Sequence, residues 1–274
     1  MMNSGQENKI QIIAEIGWNH CGDMKLAKTM ALAAKNNGAT YAKYQTWSVS
    51  RLKAGEWDID GRREIYEQAE LTKERHEELI TYCNKIGIEF LSSVFSIEDA
   101  KLLVSLGCTS VKIPSFESRN INLIQYCNDN FSTVFMSTGT STLDEIKKSI
   151  SYFNKATLYV MHCVSVYPGD YKIANLPKML ELQKIHPLVG YSDHIQGIES
   201  AKIAIGKGAI VIEKHFTIDN NLPGRDNKFA ILPNELFDLS KYILYINDMM
   251  INHGTGYNTL EENSRNNYTG RFNG

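Results

Sequence analysis

The chain has 274 residues, 43% of them apolar, enough to build one large domain around a substantial core. A formal net charge of −2 excludes a bulk electrostatic pull toward nucleic acid or an anionic membrane surface. No apolar run approaches the roughly 20 residues that span a bilayer, which excludes an integral helix.

The opening stretch MMNSGQENKIQ is polar and has no signal-like apolar region. The five cysteines are scattered, odd in number and free of any CxxC pair. Together these predict reduced thiols in a cytoplasmic protein.

Periodicity and punctuation then alternate along the chain. KIQIIAEIG reads as a strand, and DMKLAKTMALAAKNNG as a helix with an Asp cap and a Gly stop. TYAKYQT is strand-like, and WSVSRLKAGEWDIDGRREIYEQAEL reads as a long polar connection. TKERHEELITYCNKIG is a Thr-capped helix, followed by strand IEFLSSVF and helix SIEDAKLLVSLG. Strand TSVKIPS precedes helix NINLIQYCNDN, and strand STVFMST precedes helix STLDEIKKSISYFN. Strand ATLYVMHC, a loop and helix NLPKMLELQKI come next. PLVGYSD, IESAKIAIGKG, AIVIEKHF and PNELFDLSKYILYINDMM complete the series. The tail from 252 to 274, rich in Gly and Asn, reads as extended.

Eight strand–helix units in about 250 residues match a (β/α)8 TIM barrel of class α/β, a single domain over 1–274. Near-continuous apolar strands suit a parallel sheet covered on both faces. A doubly wound open sheet is the alternative, but no GxGxxG follows the first strand.

In such a barrel the C-terminal strand ends share one mouth, and here they are polar. In chain order they offer Glu15, then Lys43 and Gln45, then Ser92 and Ser93. Lys112, Ser115 and Glu117 follow, then Ser137 and Thr138, then His162, Ser165 and Tyr167. Ser192, Asp193 and His194 precede Glu213, Lys214 and His215. Packing alone accounts poorly for this, because buried charge costs several kcal/mol unless compensated.

Residues two apart share a strand face. Lys43 therefore points with Gln45, Ser192 with His194, and Glu213 with His215. Asp193 and Lys214 point the other way and are expected to pair with neighbours at the barrel rim. His194 and His215 on adjacent strands are candidate ligands for one divalent metal; ordinary core histidines are the alternative. Lys43 and Lys112, with the serines, form a candidate receptor for a small dianion; a salt-bridge set is the alternative.

The strand ends resemble the N-acetylneuraminate (sialic acid) synthase family, the NeuB-like barrels, over nearly the whole chain. IIAEIGWNHCGDMKLAK, YAKYQT, VKIPSFE, MSTGTSTLDEI, MHCVSVYP, VGYSDHIQGIE and VIEKHFTIDNNLPGRDNKFAILPNEL carry the resemblance. It implies a metal-dependent transferase that condenses phosphoenolpyruvate with an N-acylated amino sugar, such as N-acetylmannosamine, to give a nonulosonic acid and phosphate. It implies that His194 and His215 hold Mn or Mg. It implies that Lys43, Ser93, Lys112, Ser115, Ser137, Ser165 and Ser192 bind phosphoenolpyruvate, with Glu15 and Glu117 as acid/base groups. Gln45, Tyr167 and Asp226 would meet the sugar.

The chain departs from the family pattern in three places. SSVF stands where STPF is usual, and PSFE puts bulky Phe116 beside the site. The family's C-terminal antifreeze-like domain, which lends an arginine to a partner's sugar site in a dimer, is not visible. Arg225, beside Asp226, is the expected replacement, ahead of Arg265 and Arg271. A homodimer is implied by the resemblance alone. A related enzyme with another aldose acceptor, or a non-catalytic sugar-binding relative, are the competing readings.

Overall fold

A computed structural model describes residues 10–56 and 59–272. The strands are β1 (Gln11–Gly17), β2 (Tyr41–Thr46), β3 (Glu89–Val94), β4 (Ser110–Ile113), β5 (Thr133–Ser137), β6 (Thr157–Cys163), β7 (Val189–Asp193) and β8 (Val211–His215). They close into one barrel in chain order, with every neighbouring pair parallel. The predicted (β/α)8 architecture is therefore the fold, and the open-sheet alternative is excluded.

Around the barrel lie α1 (Met24–Asn36), α2 (Arg62–Ala69), α3 (Lys73–Ile86), α4 (Ile97–Ser105) and α5 (Ile121–Asn130). They continue with α6 (Leu143–Ile150), α7 (Pro177–Gln183), α8 (Glu199–Gly206), α9 (Pro233–Met249) and α10 (Glu262–Tyr268). Local chemistry fixes their ends. The Asp23 carboxylate accepts from the Lys25 and Leu26 amides at the start of α1. Thr142 and Glu145 close a capping box on α6. Gly87 ends α3 in the left-handed region, at φ +72°.

Two elements differ from the sequence reading. The polar connection after β2 contains α2, whose Arg63, Glu64 and Glu67 stay exposed while Ala69 is buried. Its mean apolar content is too low for a helical stripe to show. The tail forms α10 with every side chain exposed, so a helix occupies part of the segment read as extended. Residues 273 and 274 of that tail lie outside the described residues.

The core has two parts. A larger one fills the layer between strands and helices, with Tyr44, Leu79, Leu103 and Tyr191 among its buried members. A smaller one lies inside the barrel: Ile13, Leu91, Phe135, Met161 and Val211. Phe135 stacks on Tyr159 at 4.9 Å and meets Tyr41 edge-on at 5.4 Å, so the lower barrel is plugged. This plug is the floor on which the polar residues of the mouth stand. Among the described residues no helix is long and apolar enough to cross a membrane.

Candidate active site

Strand parity carries the interior from apolar to polar in one step. Two residues beyond Ile13 on the same face is Glu15; beyond Leu91 is Ser93, and beyond Phe135 is Ser137. Met161 gives way to Cys163 and Val211 to Glu213. With Lys43, Lys112 and Ser192 these side chains line a cavity of about 360 Å3. Gln45, Ser115, Tyr167, His194, His215, Arg225 and Asp226 line its upper part.

The floor of the cavity is a buried ion network. Lys43 Nζ lies 2.7 Å from Glu15 Oε2 and donates to Ser93 Oγ at 2.8 Å. Lys112 Nζ donates to both oxygens of Glu213, at 3.1 and 3.0 Å. Ser192 Oγ adds a third hydrogen bond to Glu213 at 2.9 Å, and Lys43 approaches it to 3.9 Å. Gln45 Nε2 donates to Glu15 Oε1 at 2.9 Å. The hydroxyl of Ser137 is buried with no hydrogen-bond partner among the described residues.

The two carboxylates are driven apart. Burial pushes the Glu15 carboxyl up, repulsion from Glu213 adds to that, and Lys43 only partly offsets them. Burial opposes the charge on Glu213 as well, but Lys112 and Lys43 together outweigh it and hold that group down. The two neighbouring carboxyls are thus shifted in opposite directions, Glu15 up and Glu213 down. Burial lowers the Lys112 ammonium, with Glu213 opposing and Lys43 reinforcing that shift.

Higher up, His194 and His215 have ring centroids 5.5 Å apart, tilted by 52°. His194 Nδ1 donates to the Val164 carbonyl at 3.0 Å, so in the neutral ring Nε2 carries the lone pair; burial opposes a charge on this imidazole, but Cys163 beside it outweighs burial and pushes it up. His215 Nδ1 is buried with no hydrogen-bond partner among the described residues, 3.8 Å from Asp226 Oδ2. Burial, then the proximity of His194 and Lys43, holds His215 well below the ordinary imidazole value, so it is neutral and has a lone pair to give. These two residues fit a divalent ion that keeps most of its positions for water and substrate. Among the described residues no three His, Cys, Asp or Glu side chains stand in ligand geometry.

Most residues expected at the mouth are brought together there, and some are not. Glu117 lies in a 3-10 turn beyond β4, where it accepts from Asn120 Nδ2 at 2.8 Å; it is not on the cavity wall. Ser165 lies behind Gly139. A Cβ there would stand 2.3 Å from Ser165 Oγ and 2.8 Å from Ser115 Oγ, so the glycine lets the two serines approach. Arg225 reaches the cavity and donates to the Tyr167 carbonyl at 3.0 Å. Arg265 and Arg271 are on or beside α10, packed against Tyr257 and Tyr268, and do not reach it.

Three strand-end residues face outward instead. Ser92 joins Thr46 at 2.6 Å, and Thr46 in turn joins His76. Thr138 donates to the Met161 carbonyl, and His162 contacts the Ala174 carbonyl at 2.8 Å while stacking on Tyr191. Parity assigns all three, since each is one residue from an inward neighbour. The same parity locates Cys163, a wall residue that the sequence reading passed over, and gives Glu213, expected at the mouth without a role, a place on the floor.

Loops complete the rim. Asn19 Nδ2 donates to the Phe216 carbonyl at 2.9 Å, and Asn227 Nδ2 returns to the Asn19 carbonyl at 3.0 Å. This clasp joins the loops after β1 and β8 and seats Trp18 and Asp226 over the cavity. Burial, then repulsion from Glu15, pushes the Asp226 carboxyl up to about 6.

A closed parallel barrel with its charge gathered at the C-terminal strand ends defines a TIM-barrel protein whose active site, by the rule of that fold, is this cavity. The chain belongs to the NeuB family, whose model matches residues 30–254. It is 38% identical over 251 residues to an N,N'-diacetyllegionaminic acid synthase of Legionella pneumophila, covering 85% of this chain and 70% of that protein. A pseudaminic acid synthase of Helicobacter pylori is 33% identical over 236 residues, 81% of this chain and 69% of that protein. Among solved structures, the N-acetylneuraminic acid synthetase of Leptospira borgpetersenii in complex with citrate superposes with a TM-score of 0.86. That match has 28% identity and covers 99% of this chain and 96% of that one.

Proposed function

We propose that this chain condenses phosphoenolpyruvate with the open-chain aldehyde of an N-acylated amino sugar, releasing phosphate and a nonulosonic acid. The observation that carries the reading is the convergence of Lys43 and Lys112 with Ser93, Ser137 and Ser192 on one buried floor. Two ammonium groups and a hydroxyl without a partner suit a ligand bearing both phosphate and carboxylate. Family membership and the names of the relatives supply the reaction class.

In this reading C3 of the enol phosphate forms a bond to the aldehyde carbon, whose oxygen takes a proton and becomes a hydroxyl. Positive charge develops at C2, and water adds there. The tetrahedral intermediate then breaks its C2–O bond, giving the 2-keto acid and phosphate. Glu213, held ionised, faces the developing cation, and Lys43 and Lys112 face the departing phosphate. Glu15, with its raised carboxyl, is the group that relays a proton at the reacting carbons. Gln45, Tyr167, Arg225 and Asp226 line the upper cavity and would hold the sugar. Glu117, in the 3-10 turn beyond the cavity wall, is given no step in this reading. A divalent ion, Mn or Mg, held by His194 and His215 would supply Lewis-acid polarisation of the aldehyde.

The test is phosphate release from phosphoenolpyruvate with Mn across N-acetylmannosamine, diacetamido hexoses, mannose, arabinose 5-phosphate and no sugar. Release that depends on an N-acylated sugar is the expected result. Release with arabinose 5-phosphate alone would move the chain to another acceptor class.

A further inference from the structure

The two histidines are each preceded by a charged residue, and those charges meet behind the barrel wall. Register pairs Asp193 with Lys214 across β7 and β8, one residue below His194 and His215. Lys214 Nζ lies 3.1 Å from Asp193 Oδ2, and both side chains are almost wholly buried. The pair does more than neutralise itself. Asp193 Oδ1 accepts from the Ile195 amide at 2.9 Å, and Lys214 donates to the Ile195 carbonyl. Ser200 Oγ donates to Asp193 Oδ2 at 2.6 Å, anchoring the carboxylate to α8. The two peptide groups flanking Ile195, the residue that follows His194, are thereby tied to the Asp193–Lys214 pair and through Lys214 to the strand that bears His215.

On the inner face of the same strand pair, Ser192 donates to Glu213. The strands are thus cross-linked on both faces at the level just below the histidines. A buried ion pair need not add net stability, but it can fix one register and one separation.

We propose that Asp193 and Lys214 are positioning residues that set the spacing and aim of the His194 and His215 imidazoles for a divalent cation. The proposal rests on the metal reading above, and it concerns side chains that never touch the ion. Neither residue lines the cavity, so neither contributes to the anion floor directly. Groups that orient ligands from behind typically change metal affinity by about 10- to 100-fold when removed.

The test compares the full chain with Lys214→Met and with the double variant Asp193→Asn/Lys214→Met. Free Mn(II) is followed by electron paramagnetic resonance, phosphoenolpyruvate binding by calorimetry without metal, and folding by thermal melting. The single variant leaves Asp193 buried and uncompensated, so its melting temperature drops. The double variant removes that charge and recovers much of the loss. The expected result is that the double variant binds phosphoenolpyruvate like the parent but Mn about 10- to 100-fold more weakly. Parent-like Mn affinity in the double variant would overturn the proposal. So would recovery of Mn affinity in step with melting temperature, the signature of a purely structural pair. A parent that binds phosphoenolpyruvate but no Mn would overturn the metal reading itself, and this inference with it.

Discussion

At the scale of single residues, the anion floor depends on charges that are buried yet mutually compensated. Lys112 is 2% exposed and both its closest contacts are oxygens of Glu213. Lys112→Met removes a charge-assisted donor worth about 2 kcal/mol, so the Kd for phosphoenolpyruvate should rise roughly 30-fold in calorimetry. An unaltered Kd would remove Lys112 from the anion site. A second residue, His20, matters for stability rather than chemistry. It is buried in the loop after β1, where its Nδ1 accepts from the Gly22 amide at 3.1 Å. Burial, reinforced by Arg75, pushes its imidazole down to about 4 from 6.5. The unfolded chain therefore binds a proton that the folded chain refuses between those values. Stability is full above 6.5 and falls as pH drops toward 4, by about 3 kcal/mol. His20→Gln should flatten the melting temperature across that window relative to the parent; an equal slope in both would show that other groups govern it.

At the scale of elements, strand parity accounts for what could be read in advance. Alternation placed Lys43 with Gln45, Ser192 with His194 and Glu213 with His215, and set Asp193 and Lys214 facing away; the barrel holds them so. It failed where a polar residue was taken at face value. His162 and Ser92 face outward because Met161 and Ser93 face in, and Cys163 was passed over for the same reason. Glu117 lies beyond the end of β4, where period two no longer applies and a 3-10 turn sets its direction. Helix α2 was hidden because its exposed charged face leaves almost no apolar stripe. Its position is fixed by a close approach that only glycine permits. Gly22 has φ +85°, and a Cβ there would lie 2.1 Å from the Gln68 carbonyl oxygen. Gly22→Ala should push the end of α2 away and speed amide exchange across 62–69, while strands on the far side of the barrel stay protected. Unchanged exchange in α2 would show that the contact is not what holds it.

For the whole molecule, the eight strands turn isolated polar residues into a single chamber with an apolar plug below and a loop clasp above. The barrel was legible from alternating strands and helices, and the chamber from their polar ends. The coupling between Glu15 and Glu213 was not legible, because it depends on which lysine each carboxylate faces across the barrel. In the proposed reaction the difference between the two carboxyls would give proton transfer to Glu15 and charge stabilisation to Glu213. The proposed reaction joins phosphoenolpyruvate to an amino-sugar aldehyde in this chamber, with cleavage of the C2–O bond. The most direct measurement is the phosphate-release assay run with phosphoenolpyruvate carrying 18O in its bridging position. The expected result is acceptor-dependent phosphate that contains the label, with one keto acid formed per phosphate. Phosphate released at the same rate without sugar, or label retained in the organic product, would contradict it.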